Sequence, residues 1–183
     1  MIAQRCFRGS FEKEGKSHRK ILCDVGRFRF DQDMSFVSLQ SNNQIDMYPP
    51  ELVAPMKEDL TQVGFSELQT TEDVDQALSK EDGTTLVVVN SVCGCAAGAA
   101  RPGIKLSLEG TKKPDNLTTV FAGVDREATD RARQYFLPYP PSSPAIGLFK
   151  DGKLVHFIER HHIEGRPAEM IAENLKMAYD EYC

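Results

Sequence analysis

The chain has 183 residues, 40% hydrophobic and 27% charged, with a net charge of −5, a balance that suits a soluble globular protein of one ordinary domain plus an appendage. Its longest aliphatic run, Leu86 to Val89, falls far short of the ~20 residues a membrane-spanning helix needs, and MIAQRCFRGSFEKEGK opens the chain without an apolar signal core. No basic stripe follows any predicted element, so neither nucleic acid nor a membrane is an expected partner.

Residues 1–46 hold eight Lys/Arg against six Asp/Glu, whereas 47–183 hold fourteen against twenty-one. The first segment shows no helical apolar stripe; its best local pattern is RKILCDVGRFRFDQ, a short hairpin around Gly26. Composition and position predict a poorly ordered N-terminal extension or a start-site artefact, with Met47 the natural start and 47–183 the folded domain. Pro49-Pro50 opens a helix with Leu52, Val53, Met56, Leu60 and Val63 inward, bent at Pro55 and ended at Gly64. Thr70 or Thr71 caps a second helix that buries Val74, Ala77 and Leu78. Thr84–Asn90 reads as a buried central strand, followed by a helix from Gly94 to Glu109 bent at Pro102. Leu117–Ala122 is the next strand, and Asp125 caps a helix with Ala128, Ala132, Tyr135 and Phe136 on one side. Ala145–Lys150 and Lys153–Ile158 flank Asp151-Gly152, a two-residue hairpin signal. Pro167 begins a last helix with Ile171, Leu175, Ala178 and Tyr182 inward. Strands separated by helices imply parallel crossovers, and the hairpin adds an antiparallel strand. The expected fold is α/β, a mixed central sheet with helices on both faces.

The five cysteines (Cys6, Cys23, Cys93, Cys95, Cys183) are odd in number and irregularly spaced, which disfavours a disulfide framework and predicts a reducing, cytoplasmic setting. Two of them stand one residue apart in LVVVNSVCGCAAGAARPG, between a strand and a helix. Free N–H groups at a helix start stabilise a thiolate, which makes Cys93 the expected nucleophile. Cys95, in the first helical turn, lies within reach of a mixed disulfide on Cys93. Gly94 removes obstruction and permits unusual backbone angles. A disulfide across one residue closes a small ring, and strain would make it easily reduced. Cys-x-Cys also suits a metal or iron–sulfur site, but no spacing among Cys183, His156, His161 and His162 completes a ligand motif, so no metal is expected. A third reading treats both cysteines as incidental in an interaction module. Pro144 precedes a strand in PPSSPAIGLF, where thioredoxin-like folds carry a cis proline beside the redox cysteines.

VVVNSVCGCAAGAARPG, TVFAGVDREATDRARQYF, PPSSPAIGLFKDGKLVHFIERHHIEG and the ending YC together resemble the bacilliredoxin family over 48–183, leaving 1–46 outside. The resemblance implies a thioredoxin-like fold, Cys93 as attacking thiol, Cys95 as the second cysteine and Pro144 as the cis proline, with Gly94 and Pro144 at the substrate surface. It implies a thiol–disulfide oxidoreductase that removes bacillithiol, or a similar small thiol, from protein mixed disulfides, with isomerase activity as a further capacity. The partners would be such modified proteins and a low-molecular-weight thiol as co-substrate, with no tightly bound cofactor. Elsewhere, His156 reads as a core or edge residue, His161-His162 as a solvent-facing loop, and Arg101 as a solvated surface side chain rather than one that stabilises a thiolate or an anionic substrate. Cys183 is either a resolving or regulatory thiol or passive, and Cys6 and Cys23 are bystanders.

Overall fold

A computed structural model describes residues 48–183; the expectations for 1–46, for Met47 as the start and for Cys6 and Cys23 lie outside the described residues. Helix α1 (Pro50–Thr61) leads through a two-residue strand β1 (Ser66–Glu67) into α2 (Thr71–Leu78) and β2 (Thr84–Asn90). A π-helical turn, Ala96–Ala100, runs into α3 (Arg101–Ser107), followed by β3 (Asn116–Phe121) and α4 (Arg126–Tyr135). The hairpin β4 (Ala145–Lys150) and β5 (Lys153–Ile158) has the expected bounds, and a short α5 (Arg160–Ile163) precedes α6 (Ala168–Tyr182). The sheet order is β1-β3-β2-β4-β5. Strands β1, β3 and β2 are parallel, whereas β4 and β5 are antiparallel to their neighbours. This mixed sheet with covered faces is the expected α/β, thioredoxin-like arrangement. Among the described residues, no helix is long and apolar enough to cross a membrane.

The Leu86-Val87-Val88-Val89 run follows from the position of β2. Leu86 and Val88 enter a core with Ile104, Leu175 and Tyr179, while Val87 and Val89 enter a second with Val74, Ala128 and Phe136. A strand covered on both faces needs apolar side chains at every position rather than at alternate ones. The polar residues of β3 are accommodated by backbone. Thr118 Oγ1 donates to Leu86 O at 2.9 Å, and Thr119 Oγ1 donates to Val88 O at 3.1 Å.

The helix expectations need several corrections. Leu52 (45%) and Val63 (38%) are exposed, and α1 buries only Val53 and Leu60. The apolar count of α1 overstated its buried face, which is limited to the strip of Val53 and Leu60. The cap of α2 is Thr70, in a reciprocal capping box with Asp73. Asp125 stands at the N-cap of α4, but its carboxylate accepts from Phe121 N at 3.0 Å instead of capping the helix. It also accepts from Lys57 Nζ at 3.1 Å, which ties α1 to the β3–α4 loop. Tyr179, absent from the expected apolar face of α6, is fully buried, and its hydroxyl lies 3.1 Å from Ser107 Oγ. Desolvation raises the Tyr179 pKa, so the phenol stays neutral. Asp151 (φ 50) and Gly152 (φ 73) both occupy the left-handed region that a two-residue hairpin requires.

Helices α3 and α6 touch through Gly103, where an added Cβ would lie 2.7 Å from Ala168 O and 2.8 Å from Ile171 Cβ. Both neighbours are fixed by the α6 backbone and cannot swing aside. Gly98, in the preceding turn, has nothing within 4 Å of the same position. Gly103→Ala should therefore destabilise by about 1–3 kcal/mol through overpacking, which outweighs the ~1 kcal/mol gain in helix propensity. Gly98→Ala should be neutral or stabilising. Urea denaturation of both variants checks this, and equal midpoints would refute the packing account.

Candidate active site

Strand β2 delivers the chain to the site at Asn90, whose groups are all engaged. Asn90 Oδ1 accepts from Ser91 N (2.9 Å) and Arg101 Nη1 (3.1 Å), and Nδ2 donates to Met56 O (2.9 Å). Its backbone O accepts from Ala122 N at 2.9 Å. Arg101 is the centre of this network. Nη1 also donates to Ser91 O at 3.2 Å, and Nε donates to Asp59 Oδ2 at 3.0 Å. Arg101 is only 4% exposed, so the expectation of a solvated side chain is wrong. The helical turns beyond the cysteines direct it back onto the end of β2, where a cation satisfies two oxygens at once. Asp59 also accepts from Lys105 Nζ at 2.9 Å. The Lys105 hydrogen bond, with that of Arg101, lowers the Asp59 pKa despite partial burial.

The chain then passes through Ser91, Val92 and Cys93 into the helix. Cys93 and Cys95 are joined as a disulfide with Cα atoms 5.4 Å apart. Cys93 Sγ accepts from Ser91 Oγ and from Ala96 N, each at 3.3 Å. Ala96 N and Ala97 N also approach Cys93 O at 3.1 and 3.2 Å. On reduction, the donors facing Cys93 Sγ would meet a sulfur able to carry negative charge, and such donors favour the thiolate. The two sulfurs differ in surroundings. Cys93 lines an open cleft with Ser91, Ala122 and Ser143, whereas Cys95 packs against the core that holds Ala99 and Ile104.

Gly94 is exposed, its φ is not positive, and an added Cβ there would meet nothing within 4 Å. The expectation of unusual backbone angles at Gly94 is therefore corrected. The first helical turn accommodates ordinary angles, and the irregularity lies one turn later. There the Ala-Ala-Gly-Ala-Ala run forms the π turn, closed by Arg101 N bonding to Ala96 O. This wider turn leads directly to Pro102, at the start of α3, where a missing N–H is easily tolerated.

The Ser143–Pro144 peptide is cis, and Ser143 lines the cleft with Cys93 while Pro144 itself is buried. A second cis peptide, Leu137–Pro138, was not expected. Arg160 braces the Pro144 loop, donating from Nη1 to Ser143 O at 3.3 Å and from its backbone N to Ser142 Oγ at 3.4 Å. Ser91, Arg101 and Arg160 are the contributors that the sequence reading missed or misplaced. Only Ser91 had a local signal, its position two residues before Cys93. His156 is half-buried, with Nε2 2.8 Å from Asn174 Oδ1. His161 and His162 are exposed as expected but lie in α5 rather than a loop. Among the described residues, Glu159, His161 and His162 group as metal-ligand types, and neither Cys93 nor Cys95 belongs to that group. Cys183 lies beside Thr84, at the opposite end of the seven-residue β2 from Cys93. At ~3.3 Å per residue, that separation is on the order of 20 Å. Burial raises the Cys183 pKa, which leaves its thiol protonated near neutrality.

A family model described as "Disulphide isomerase" matches residues 48–183. A bacilliredoxin of Cytophaga hutchinsonii is 66% identical over 135 residues, covering 74% of this chain and 99% of that protein. A bacilliredoxin of Koribacter versatilis is 53% identical, covering 75% of this chain and 94% of its own length. One of Bacillus cereus is 48% identical, covering 78% and 99% respectively. Among solved structures, a putative oxidoreductase with a thioredoxin fold has a TM-score of 0.48 at 18% identity, covering 61% of this chain and 94% of that one. The chain belongs to the bacilliredoxin family.

The donors around Cys93 should be visible in its reactivity. In reduced protein, Cys93 should alkylate with iodoacetamide at lower pH than Cys183, and Ser91→Ala should move the Cys93 profile toward higher pH. Peptide mapping after alkylation across a pH series measures both. Coincident profiles for Cys93 and Cys183 would remove the electrostatic basis for the site.

Proposed function

We propose that this bacilliredoxin-family chain is a thiol–disulfide oxidoreductase that removes bacillithiol, or a similar low-molecular-weight thiol, from protein mixed disulfides through Cys93. The observation that carries this reading is the asymmetry of the pair. Cys93 Sγ sits in an open cleft with two hydrogen-bond donors on it, whereas Cys95 lies against the core. A nucleophile needs access and a stabilised thiolate, and Cys93 has the surroundings for both.

In the proposed reaction the Cys93 thiolate attacks the small thiol's sulfur in the mixed disulfide. A Cys93–small-thiol disulfide forms, the substrate protein's sulfur leaves as a thiolate, and no net electrons are gained or lost. Two routes then clear the adduct. Cys95 as thiolate attacks Cys93 sulfur, releasing the small thiol and forming the Cys93–Cys95 disulfide, which an external thiol reductant reopens. Alternatively, a second small thiol attacks the adduct and leaves as the symmetrical small-molecule disulfide, regenerating Cys93. The Cα separation of 5.4 Å supports the first route, since neighbouring groups in one chain meet at high effective concentration. Ser143, held by the cis bond to the buried Pro144, lines the cleft with Cys93, and Gly94 beside Cys93 is exposed. A reducing cytoplasm would keep the pair available for such exchange.

Cys93→Ala should abolish demodification of a mixed-disulfide protein, whereas Cys183→Ser should leave it unchanged, because Cys183 lies at the far end of β2. Cys95→Ser should strip the first equivalent of modifier and then accumulate the small-thiol mass on Cys93 until free small thiol is added. Intact-protein mass spectrometry reads each outcome. Demodification by Cys95→Ser with no adduct on Cys93 would overturn the assignment.

A further inference from the structure

Strand β5 ends at Ile158, and the residues that follow, Glu159-Arg160-His161-His162, turn into the short α5. Glu159 and His162 form a reciprocal capping box. The Glu159 side chain accepts from His162 N, and His162 Nδ1 accepts from Glu159 N at 3.4 Å. The box draws the His162 ring toward the Glu159 carboxylate. His161 joins them, with the two imidazole centroids 3.8 Å apart and His161 Nδ1 3.8 Å from Glu159 Oε2. Successive helical residues project about 100° apart, so a regular helix by itself would separate these rings. Here one donor atom from each of the three side chains falls within 4.8 Å of the others.

The cluster is anchored on one side and open on the other. The Glu159 side chain is 15% exposed and that of His161 65% exposed. Arg160, although it stands between them, does not take up the Glu159 carboxylate. Its guanidinium pairs with Glu164 and donates to Ser143 O. Among the described residues, the ion-pair contact of Glu159 is with His161 alone. Two imidazoles and one carboxylate are the donor set of three-ligand zinc sites, in which water fills the fourth position. Donors at ~2.0–2.2 Å from one ion, set at tetrahedral angles, lie about 3.4 Å apart. The observed 3.8 Å therefore needs only a small rotation of an exposed ring. Calcium and magnesium favour oxygen donors throughout, and ions that favour thiolates find no sulfur in this cluster.

We propose that Glu159, His161 and His162 form a zinc site at the start of α5, separate from the cysteine pair and independent of the exchange reading. The ion closes the gap between His161 Nδ1 and the Glu159 carboxylate, and His162 supplies the third donor in place of its long capping contact. Because Arg160 stands between the ligands, an ion held there fixes the backbone from which Arg160 reaches the Ser143 carbonyl. Zinc occupancy is thereby a restraint on the loop that carries Ser143 and Pro144.

The test uses full-length protein with Cys93–Cys95 oxidised and the remaining thiols alkylated, so that sulfur does not compete for the metal. Zinc chloride, titrated by calorimetry, should bind with one ion per chain. His161→Ala and Glu159→Gln should each weaken binding by at least about tenfold, the lower end of what even outer-shell partners of a metal contribute. Both variants should keep the parent's urea midpoint in EDTA, because His161 is exposed and glutamine retains a capping oxygen. Zinc should raise the thermal midpoint of the parent and not that of His161→Ala. In the parent it should shift the imidazole NMR signals of His161 and His162 together, a readout that still decides the matter if a variant loses stability. Equal zinc affinity in the parent and in the His161→Ala, His162→Ala double variant would overturn the site, as would saturation that shifts neither ring. Magnesium binding as tight as zinc would reveal a carboxylate contact without the imidazoles and overturn it as well.

Discussion

The contact on which the site depends is the buried Arg101 guanidinium. One cation joins three parts of the chain: Asp59 on α1, Asn90 at the end of the central strand, and the Ser91 carbonyl two residues before Cys93. Asn90 Oδ1 also accepts from Ser91 N and Asp59 also accepts from Lys105, so Arg101 completes these groups while joining them to the Ser91 carbonyl. A buried polar group left short of a partner costs about 1–3 kcal/mol, and the guanidinium, itself buried, would bear that cost without these oxygens. The same fork geometry could not be reproduced by lysine, which offers no planar set of donors. Because Arg101 is covalently part of the helix that follows the cysteines, its anchorage sets how that helix meets the strand. It thereby sets where Ala96 N points relative to Cys93 Sγ.

The two halves of the molecule contribute differently to this junction. Strand β2 is rigid because both faces are packed, with Leu86 and Val88 on one side and Val87 and Val89 on the other. The segment after it is built from small residues, and its π turn adjusts the helix before Pro102 and the close α3–α6 contact at Gly103. Rigid strand, adjustable turn and tightly packed helix form a chain of constraints that ends at the cysteines. Irregular helical turns of this kind are frequent where a helix must present particular groups.

Chemical asymmetry within Cys-Gly-Cys follows from that placement. The cysteines are separated by one residue, yet they meet different surroundings, since one lines an open cleft and the other packs against the core. Thiolate formation is favoured by donors and opposed by desolvation, so neighbouring thiols in different media are suited to different steps. The cleft continues this division. Its near end holds the sulfur and the lip before Pro144, and its far wall holds the arginines of α4. The α4 stripe is strongly polar on a helix whose opposite side buries Ala128 and Ala132.

The sequence alone determined the α/β class, the central strand, the hairpin and the strand-to-helix position of Cys93. These features rest on local or nearly local physics: β-branched runs, turn residues with positive φ, proline at helix starts, and the contrast of period-two with period-3.6 patterns. The bounds of β4 and β5 were legible for that reason, because Asp151-Gly152 leaves little choice of register. The family resemblance supplied the cis Pro144, which no local pattern reveals. The tertiary structure decided everything that required a partner distant in the chain. Arg101 looked like a surface side chain because nothing near it in sequence announces Asp59 or Asn90. Tyr179 was missed because its hydroxyl is satisfied by Ser107, 72 residues away. The exposure of Leu52 and Val63 depended on how much of the α1 region the rest of the fold covers. Polar side chains can be buried only when a fold brings them acceptors or donors, and their sequence neighbours do not reveal whether it will. Apolar patterning encodes which side of an element is covered, whereas electrostatic pairing around Cys93 exists only after the elements have met.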